Sequence, residues 1–241
     1  MVRLDKWIAD RRGCTRSEAK ALIRAGRVSV DGALCRSGDE KYDPGAELCI
    51  DGSPVGRERE AVTTLMLNKP VGVLSATEDR SQRTVLDLLP DSLRRRGNWF
   101  PVGRLDKDTT GLLLLTTDGD LAHRLLSPRR HVPKRYRAEV DFPLDDADVA
   151  AFREGLVLRD GLRCLPAELE LPQGEDRPCV GLVTVYEGKY HQVRRMFAAR
   201  GKHVTALHRC SIGRLHLDPA LKPGEWRPLD PEELSALFEI P

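Results

Sequence analysis

The feature that most constrains this chain is a glycine-bounded segment that leads directly into the apolar run Leu112–Leu115. The segment reads Gly103-Arg104-Leu105-Asp106-Lys107-Asp108-Thr109-Thr110-Gly111. A short apolar run that follows turn residues predicts a buried strand, so Asp106 is expected in the loop before that strand. An aspartate in such a loop most often caps a turn. Its significance therefore depends on what other segments bring to it.

The order of the predicted elements indicates two domains joined by a linker. Residues 1–52 predict two short helices and a hairpin, with a capping box at Thr15-Arg16-Ser17-Glu18 and a turn at Asp31-Gly32. Residues 53–62 lack periodicity and predict a linker. In residues 63–241, predicted strands are interspersed with helices rather than arranged in strict βαβ repeats. The expected fold class is α+β, with a mixed, mainly antiparallel sheet and flanking helices in the larger domain.

The net charge of +2 conceals three basic segments. Residues 1–36 carry a net charge of +5, residues 94–137 carry +7 and residues 186–214 carry +6, so the rest of the chain holds −16. Acidic neighbours that neutralise a basic loop after folding would account for any single segment. Three such segments, each coinciding with a motif, indicate a polyanion as the binding partner.

The second predicted helix carries a basic stripe, which consists of Arg16, Lys20, Arg24 and Arg27. Their spacing of i, i+4, i+8 and i+11 places them along one side of a helix. A solvated face would interleave glutamates, and only Glu18 is near, so we expect the stripe to bind a phosphate backbone. Residues 1–50 resemble the S4 RNA-binding module, on the evidence of Arg3-Leu4-Asp5-Lys6 and the closing segment Gly26-Arg27-Val28-Ser29-Val30-Asp31-Gly32.

Composition excludes several other classes of protein. The chain of 241 residues has no apolar run near the ~18 residues that span a bilayer and no apolar signal region, so we expect a cytoplasmic protein without a membrane partner. The six cysteines are scattered, and the histidines between residues 191 and 216 lack a ligand pattern, so no metal site is expected. No glycine-rich phosphate loop or dinucleotide fingerprint signals a cofactor. We expect a monomer that needs no cofactor.

The segment around Asp106 resembles the catalytic motif of the pseudouridine synthases, and two later segments resemble further motifs of that family. They are Lys134-Arg135-Tyr136 and Glu187-Gly188-Lys189-Tyr190-His191-Gln192-Val193-Arg194-Arg195. The resemblance implies that Asp106 is the catalytic carboxylate, that Arg194 pairs with it, and that Tyr136 stacks on the uracil. An arginine within reach would favour the charged form of the carboxylate. In the same helix, Val193, Met196 and Phe197 predict a core stripe that would hold Arg194 rigidly.

The resemblance also implies contacts to RNA and a pocket for the base. A uridine within a stack must be extruded before its base is rearranged, at a cost on the order of a few kcal/mol. Arg104 is expected to fill the vacated space and contact phosphate, and Lys134 is expected to bind RNA. Leu207, in the matching segment Leu207-His208-Arg209, is expected to form the floor of the uracil pocket. The rigid Lys69-Pro70 turn is expected to support the catalytic loop.

The layout, an S4-like module before a catalytic domain, is most similar to the branch of the family that modifies uridine 516 of the 16S ribosomal RNA. The alternatives are a 23S ribosomal RNA synthase of the same branch and a non-catalytic RNA-binding factor of ribosome assembly. Intact Asp106, Tyr136 and Arg194 argue against the non-catalytic factor. The sequence leaves open whether the carboxylate attacks the ribose carbon or removes a ribose proton. It also leaves open whether the substrate is naked ribosomal RNA or an assembling small subunit.

Overall fold

The computed structural model describes residues 1–12, 14–55, 63–95, 97–172 and 179–239. The chain divides into two compact units, residues 1–62 and residues 63–241. Each unit has its own buried apolar residues. Both units combine helices with β-strands, as the sequence predicts.

In its described part, the first unit consists of two helices and six short strands. The helices are α1 (Leu4–Arg12) and α2 (Arg16–Arg24). The strands are β1 (Val2–Arg3), β2 (Val28–Val30), β3 (Ala33–Leu34), β4 (Lys41–Tyr42), β5 (Leu48–Ile50) and β6 (Ser53–Pro54). β1 pairs with β4, and the other four form an antiparallel sheet in the order β3-β2-β5-β6. The helices pack on this sheet through Leu4, Trp7, Ile8 and Ile23, which are at most 5% exposed.

Local hydrogen bonds explain where α2 begins and ends. The Thr15 side chain accepts from the Glu18 N–H, and the Glu18 carboxylate accepts from the Thr15 N–H at 2.7 Å, which confirms the predicted capping box. Gly26 follows the helix at φ +69°, a left-handed conformation that glycine adopts at little cost. The turn at Asp31-Gly32 then connects β2 to β3, as predicted.

Two predictions for the first 62 residues need correction. Ser53–Pro54 pairs with β5, so these two residues belong to the sheet and not to the linker predicted at residues 53–62. Residues 56–62 of that predicted linker lie outside the described residues. The other correction concerns the basic stripe, because α2 ends at Arg24 and Arg27 lies beyond the helix. The stripe therefore has three members on α2.

The described part of the second unit is organised around a sheet of nine strands. They are β7 (Thr64–Lys69), β8 (Phe100–Pro101), β9 (Thr109–Thr116), β10 (Lys134–Val140), β11 (Glu168–Glu170), β12 (Val180–Val185), β13 (Val204–Ile212), β14 (Leu215–His216) and β15 (Trp226–Pro228). Seven strands follow the order β11-β12-β10-β13-β9-β7-β15, while β8 pairs with β9 and β14 pairs with β13. The β9–β13 pair is parallel and the other described pairs are antiparallel, which confirms a mixed, mainly antiparallel sheet.

Helices pack against both faces of this sheet. They are α3 (Asp91–Arg94), α4 (Gly119–Leu126), α5 (Asp146–Glu154), α6 (Gln192–Ala199) and α7 (Pro231–Ala236), with 3₁₀ turns at Val85–Leu88 and Pro128–Arg130. Leu113 and Leu115 of β9 share a core with α5 and α6, whereas Leu112 and Leu114 share another with α4. Burial on both faces explains why this run is continuously apolar rather than alternating. Among the described residues, no helix combines the length and the apolar character that crossing a membrane requires.

Candidate active site

One pocket of the second unit brings together the site residues predicted for that unit. The predicted residues that line it are Arg104, Asp106, Lys134, Tyr136, Arg194 and Leu207. They come from a loop, from β10, from α6 and from β13. The tertiary fold, rather than the local sequence, therefore assembles the pocket.

Hydrogen bonds clamp the loop that carries Asp106. The Ser75 hydroxyl donates to the Leu105 carbonyl at 2.8 Å and accepts from the Leu105 N–H at 3.0 Å. On the other side of Asp106, the Gly72 N–H donates to the Lys107 carbonyl at 2.8 Å. The backbone is thus held immediately before and immediately after the aspartate.

A buried ammonium group also holds this loop. Lys69, at the end of β7, is 0% exposed, and its Nζ donates to the carbonyls of Pro70 (3.0 Å), Lys107 (3.3 Å) and Thr109 (2.9 Å). Burial lowers the pKa of Lys69 to about 8, although two nearby carboxylates oppose the shift. The support expected from the Lys69-Pro70 turn thus includes the lysine side chain itself. No local sequence pattern signals these distant bonds.

The Asp106 carboxylate lies between an imidazole and a guanidinium. One oxygen is 3.3 Å from His191 Nε2, and the other is 3.7 Å from Arg194 Nε. The ring of Tyr190 stacks on that of His191, with centroids 3.8 Å apart. The Asp106 side chain remains 30% exposed, so it is reachable from the pocket. No role is predicted for His191 from the sequence.

Arg194 is shared between two carboxylates. Its Nη2 contacts Asp108 at 2.8 Å, and its Nη1 donates to the Val204 carbonyl at 3.0 Å. Its Nε is within ion-pair distance of Asp106 but makes no hydrogen bond with a described residue. The contact expected between Arg194 and Asp106 is therefore the longer of two ion pairs. The closer partner, Asp108, is not predicted from the sequence.

Helix α6 carries Arg194, and its buried face holds that side chain in place. Val193, Met196 and Phe197 are buried, which confirms the predicted core stripe. His191 lies just before the helix, where its backbone is left-handed at φ +49°. The contact of His191 with Asp106 thus comes from this turn and not from a helical face, so helical spacing in the sequence does not signal it.

Strands β10 and β13 form the apolar side of the pocket. Tyr136 on β10 is 9% exposed and Leu207 on β13 is 6% exposed. β13 lies between β10 and β9, with Leu207 opposite Thr109 in the parallel pair. Gly111 permits this pairing, because a Cβ added at its φ of +100° would lie 2.4 Å from the Arg209 carbonyl oxygen. The sequence analysis did not predict β13, which carries Leu207 into the pocket.

Two cationic side chains lie beside these apolar residues. Lys134, expected to bind RNA, lines the pocket, and its Nζ donates to the Val132 carbonyl at 2.8 Å. Burial, together with the charge of Arg209, lowers the pKa of Lys134 to about 8. Arg209 is 3% exposed, and its Nε donates to the Leu112 carbonyl at 2.7 Å. Arg209 belongs to the matching segment Leu207-His208-Arg209, which predicts no role for it.

Arg104 differs from these cations because it is exposed. It lines the pocket and forms no ion pair with the part of the chain that the structure describes. Its guanidinium is available to a phosphate group or to a gap in stacked nucleic acid. No three His, Cys, Asp or Glu side chains among the described residues are grouped so that they could hold a metal ion.

In the first unit, a buried carboxylate partly neutralises the basic stripe. Asp5 of α1 is 0% exposed and lies 2.9 Å from Arg16 Nη2 and 3.6 Å from Lys20 Nζ. Hydrogen bonds from Arg3 and Arg16 hold the pKa of the Asp5 carboxyl far below its usual range. Arg16 and Lys20 nevertheless remain about half exposed. Helical spacing along α2 reveals only Glu18 near the stripe, so the contact with Asp5 of α1 is not predicted from the sequence.

The other two residues assigned to the stripe differ from each other. Arg27 forms a two-bond ion pair with Asp51. Arg24 is exposed and forms no ion pair within the described ranges. Arg24 is therefore the member of the stripe whose charge is least compensated.

Each of the two units matches a known protein family. Residues 63–199 match the RNA pseudouridylate synthase family, and residues 2–48 match the S4 domain. YtzG of Bacillus subtilis (strain 168), an uncharacterized RNA pseudouridine synthase, is 47% identical over 240 residues, which cover 99% of each chain. The ribosomal small subunit pseudouridine synthase A of Escherichia coli (strain K12) is 40% identical over 237 residues, which cover 98% of this chain and 100% of the relative.

A solved structure agrees with these matches. The crystal structure of a pseudouridylate synthase aligns with a TM-score of 0.67 and 38% identity, covering 98% of this chain and 100% of that chain. Most of the residues that line the pocket around Asp106 lie within residues 63–199, the segment that matches the synthase family. The chain therefore belongs to the RNA pseudouridine synthase family, with an S4 domain followed by the pseudouridine synthase domain.

Proposed function

We propose that this pseudouridine synthase converts a uridine of the 16S ribosomal RNA to pseudouridine, with Asp106 as the carboxylate that acts on the ribose. The observation that carries the proposal is the position of Asp106, reachable in a pocket with Tyr136 and Leu207 and flanked by His191 and Arg194. The relative named for the ribosomal small subunit aligns over 98% of this chain, which supports the choice of RNA.

The reaction is an isomerisation, in which the bond between C1′ and N1 breaks and a bond between C1′ and C5 forms. The electron pair of the broken bond leaves with the base. Asp106 either attacks C1′ directly or removes a ribose proton to give a glycal. C5 then bonds to C1′. In the first route the bond between C1′ and Asp106 breaks as this bond forms, and in the second route the ribose proton is returned. The proton on C5 is then lost, and N1 gains a proton. Because electrons and atoms balance within the nucleoside, the reaction requires no oxidant or reductant.

Tyr136 and Leu207 are suited to hold the uracil during this change. Both side chains are at least nine-tenths buried and line the pocket beside Asp106. An aromatic face and an aliphatic side chain together offer a flat base the contacts that it loses on leaving the RNA stack. Arg104, exposed at the same pocket, is positioned to contact phosphate or to occupy the vacated space.

The S4 domain supplies additional RNA binding in this proposal. Arg24 is exposed and unpaired among the described residues, and Arg16 and Lys20 keep about half of their side chains exposed. Contacts between these groups and phosphates add affinity that does not depend on sequence. We further propose that the protein acts as a monomer in the cytoplasm, where ribosomal RNA is found.

Chemical mapping of pseudouridine in ribosomal RNA tests this proposal. The 16S and 23S RNAs are compared between cells with and without the gene, and a plasmid copy of the gene serves as the control. We expect one pseudouridine of the 16S RNA to disappear and to return with the plasmid. Loss of a site in the 23S RNA instead would assign the protein to large-subunit RNA. If both ribosomal RNAs are unchanged, a ribosomal substrate is excluded.

A further inference from the structure

Besides the exposed Arg104, the pocket contains two cations that no carboxylate of a described residue neutralises. They are Lys134 on β10 and Arg209 on β13, and we call them the Lys134–Arg209 pair. Tyr136 lies opposite Arg209 in the β10–β13 register and two residues after Lys134, so both cations belong to the strands that carry Tyr136 and Leu207. Within the described ranges, neither has a carboxylate oxygen within 4.0 Å.

Arg209 is a buried charge with incomplete partners. Its Nε donates to the Leu112 carbonyl, and its Nη1 is 3.4 Å from the Tyr136 hydroxyl. Its Nη2 is buried and has no hydrogen-bond partner among the described residues. A guanidinium that is 3% exposed and lacks a counter-ion is costly to fold. A negative charge that the free protein lacks would stabilise this buried guanidinium.

Lys134 places a second positive charge in the same pocket. Among the described residues its Nζ makes one hydrogen bond, to the Val132 carbonyl, so two of its three donors have no described partner. Burial and the charge of Arg209 lower the pKa of Lys134 to about 8, so the lysine is still mostly protonated near neutral pH. The two cations repel each other, and an anion between them would relieve this repulsion.

The carboxylates that line the pocket already have partners. Asp106 lies against His191 and Arg194, and Glu187 lies 2.7 Å from Lys189 Nζ. The unmatched positive charge therefore lies beside the residues proposed to hold the base. Because Arg209 is 3% exposed, it offers a phosphate of the RNA backbone little surface to contact.

We propose that the Lys134–Arg209 pair stabilises the negative charge on the uracil while the base is detached from the ribose. This inference rests on the proposed cleavage of the C1′–N1 bond at Asp106. The electron pair of that bond passes to the uracil and delocalises onto its ring nitrogens and carbonyl oxygens. The charge disappears when C5 bonds to C1′ and the C5 proton is replaced by a proton on N1. Lys134 acts by contact, and Arg209, which is 3% exposed, acts through its charge at short range.

This role predicts a loss of rate without a loss of RNA binding. Single-turnover rates are measured at saturating enzyme, on the ribosomal RNA that the mapping identifies as the substrate. Lys134→Met and Arg209→Gln should each slow the reaction about 10²–10³-fold, as does the removal of one donor from an oxyanion site. Lys134→Arg and Arg209→Lys keep the charge and should recover part of the rate. Arg153→Met removes an exposed charge from α5 and serves as the control with an unchanged rate.

Rates on RNA with a substituted base distinguish stabilisation of the negative charge on the uracil from a purely structural role of the two cations. Fluorine at C5 withdraws electrons, so 5-fluorouracil leaves as a less basic anion and needs less positive charge from the protein. RNA transcribed with 5-fluorouridine is digested after reaction, and consumption of the fluorinated nucleoside is followed by mass spectrometry. The ratio of wild-type to Lys134→Met rates should be clearly smaller for this RNA than for the uridine RNA. Arg209→Gln should show the same change in ratio.

Two results would overturn the inference. An equal rate ratio for the two RNAs would mean that the cations maintain the shape of the pocket. A loss of RNA affinity with a normal rate at saturation would mean that they bind phosphate. The Asp106→Asn variant is measured in the same assay, so that a failure of the proposed chemistry at Asp106 is seen separately from a failure at Lys134 and Arg209.

Discussion

Replacing Lys69 by methionine should destabilise the synthase domain and slow its reaction. The Lys69 ammonium is 0% exposed and binds three backbone carbonyls, two of which belong to residues of the Asp106 segment. Each buried carbonyl left without a donor costs about 1–3 kcal/mol, so three cost about 6 kcal/mol. Burial lowers the pKa of Lys69 from 10.5 to about 8, and removing the charge returns about 3 kcal/mol of that burial cost. The net destabilisation is therefore about 3 kcal/mol.

Thermal unfolding of the full-length chain, followed by circular dichroism, measures this effect. For a domain of this size, about 3 kcal/mol corresponds to a fall in Tm of about 6–12 °C. Loosening the loop should also reduce the single-turnover rate by up to about 10²-fold, because small displacements of a reacting group are costly. Lys107→Met is the matched control, since the exposed Lys107 ammonium bonds only to Gln82 among the described residues. A Lys69→Met variant that unfolds at the wild-type temperature would refute this assignment of the buried ammonium.

Three further predictions concern charge. Asp5→Asn should strengthen RNA binding, because it releases two basic side chains of α2. The slope of log affinity against log salt concentration should steepen by about 0.7–0.9 for each added phosphate contact. Titrations by fluorescence anisotropy at several salt concentrations measure this slope, and an unchanged slope would mean that the stripe does not bind RNA. Arg194→Ala should greatly reduce turnover, because Asp106 and Asp108 lose the guanidinium that both carboxylates contact; a single-turnover rate close to that of the wild type would exclude this role. Turnover should fall as the pH rises through about 8, because burial lowers the pKa of Lys134 to that value and the lysine then loses its charge. The Lys134→Arg variant should move this fall in turnover to higher pH. A fall at the same pH in the variant would belong to another group, such as Lys69.

The sequence predicted those parts of the fold that depend on neighbouring residues. The capping box from Thr15 to Glu18 and the turn at Asp31-Gly32 involve groups within a few residues of each other, so their signals are local. The apolar run in β9 was also sufficient, because a strand buried on both faces carries a continuous signal. These elements confirmed the predicted two-helix hairpin unit and the α+β class.

The missed strand β13 shows where local patterns are insufficient. Residues Val204–Ile212 mix polar and apolar side chains, with Arg209 and Ser211 buried among them, so alternation is weak. The position of the strand is determined by pairing with β10 and β9, whose residues are about 70 and 100 positions earlier in the sequence. Pairing over such separations has no signature in a single sequence.

The ion pairs could not be predicted for the same reason. Asp5 and Arg16 are 11 residues apart on different helices, and their contact depends on how α1 packs on α2. Arg194 and Asp108 are brought together by α6 and the loop before β9, and the motif resemblance pointed to Asp106 instead. Residue types indicated which groups carry the chemistry, whereas the closest partner of each charge depended on the tertiary structure.

The most direct test of the central claim compares wild-type protein with Asp106→Asn in a single-turnover assay on the ribosomal RNA substrate. Asparagine has nearly the same shape as aspartate and lacks the charge. Among the described residues, Asp106 lies within ion-pair distance of His191 and Arg194 only. We expect the variant to bind the RNA as tightly as the wild type and to form no pseudouridine. Pseudouridine formed by Asp106→Asn at a rate close to that of the wild type would contradict the assignment of Asp106 as the reacting carboxylate.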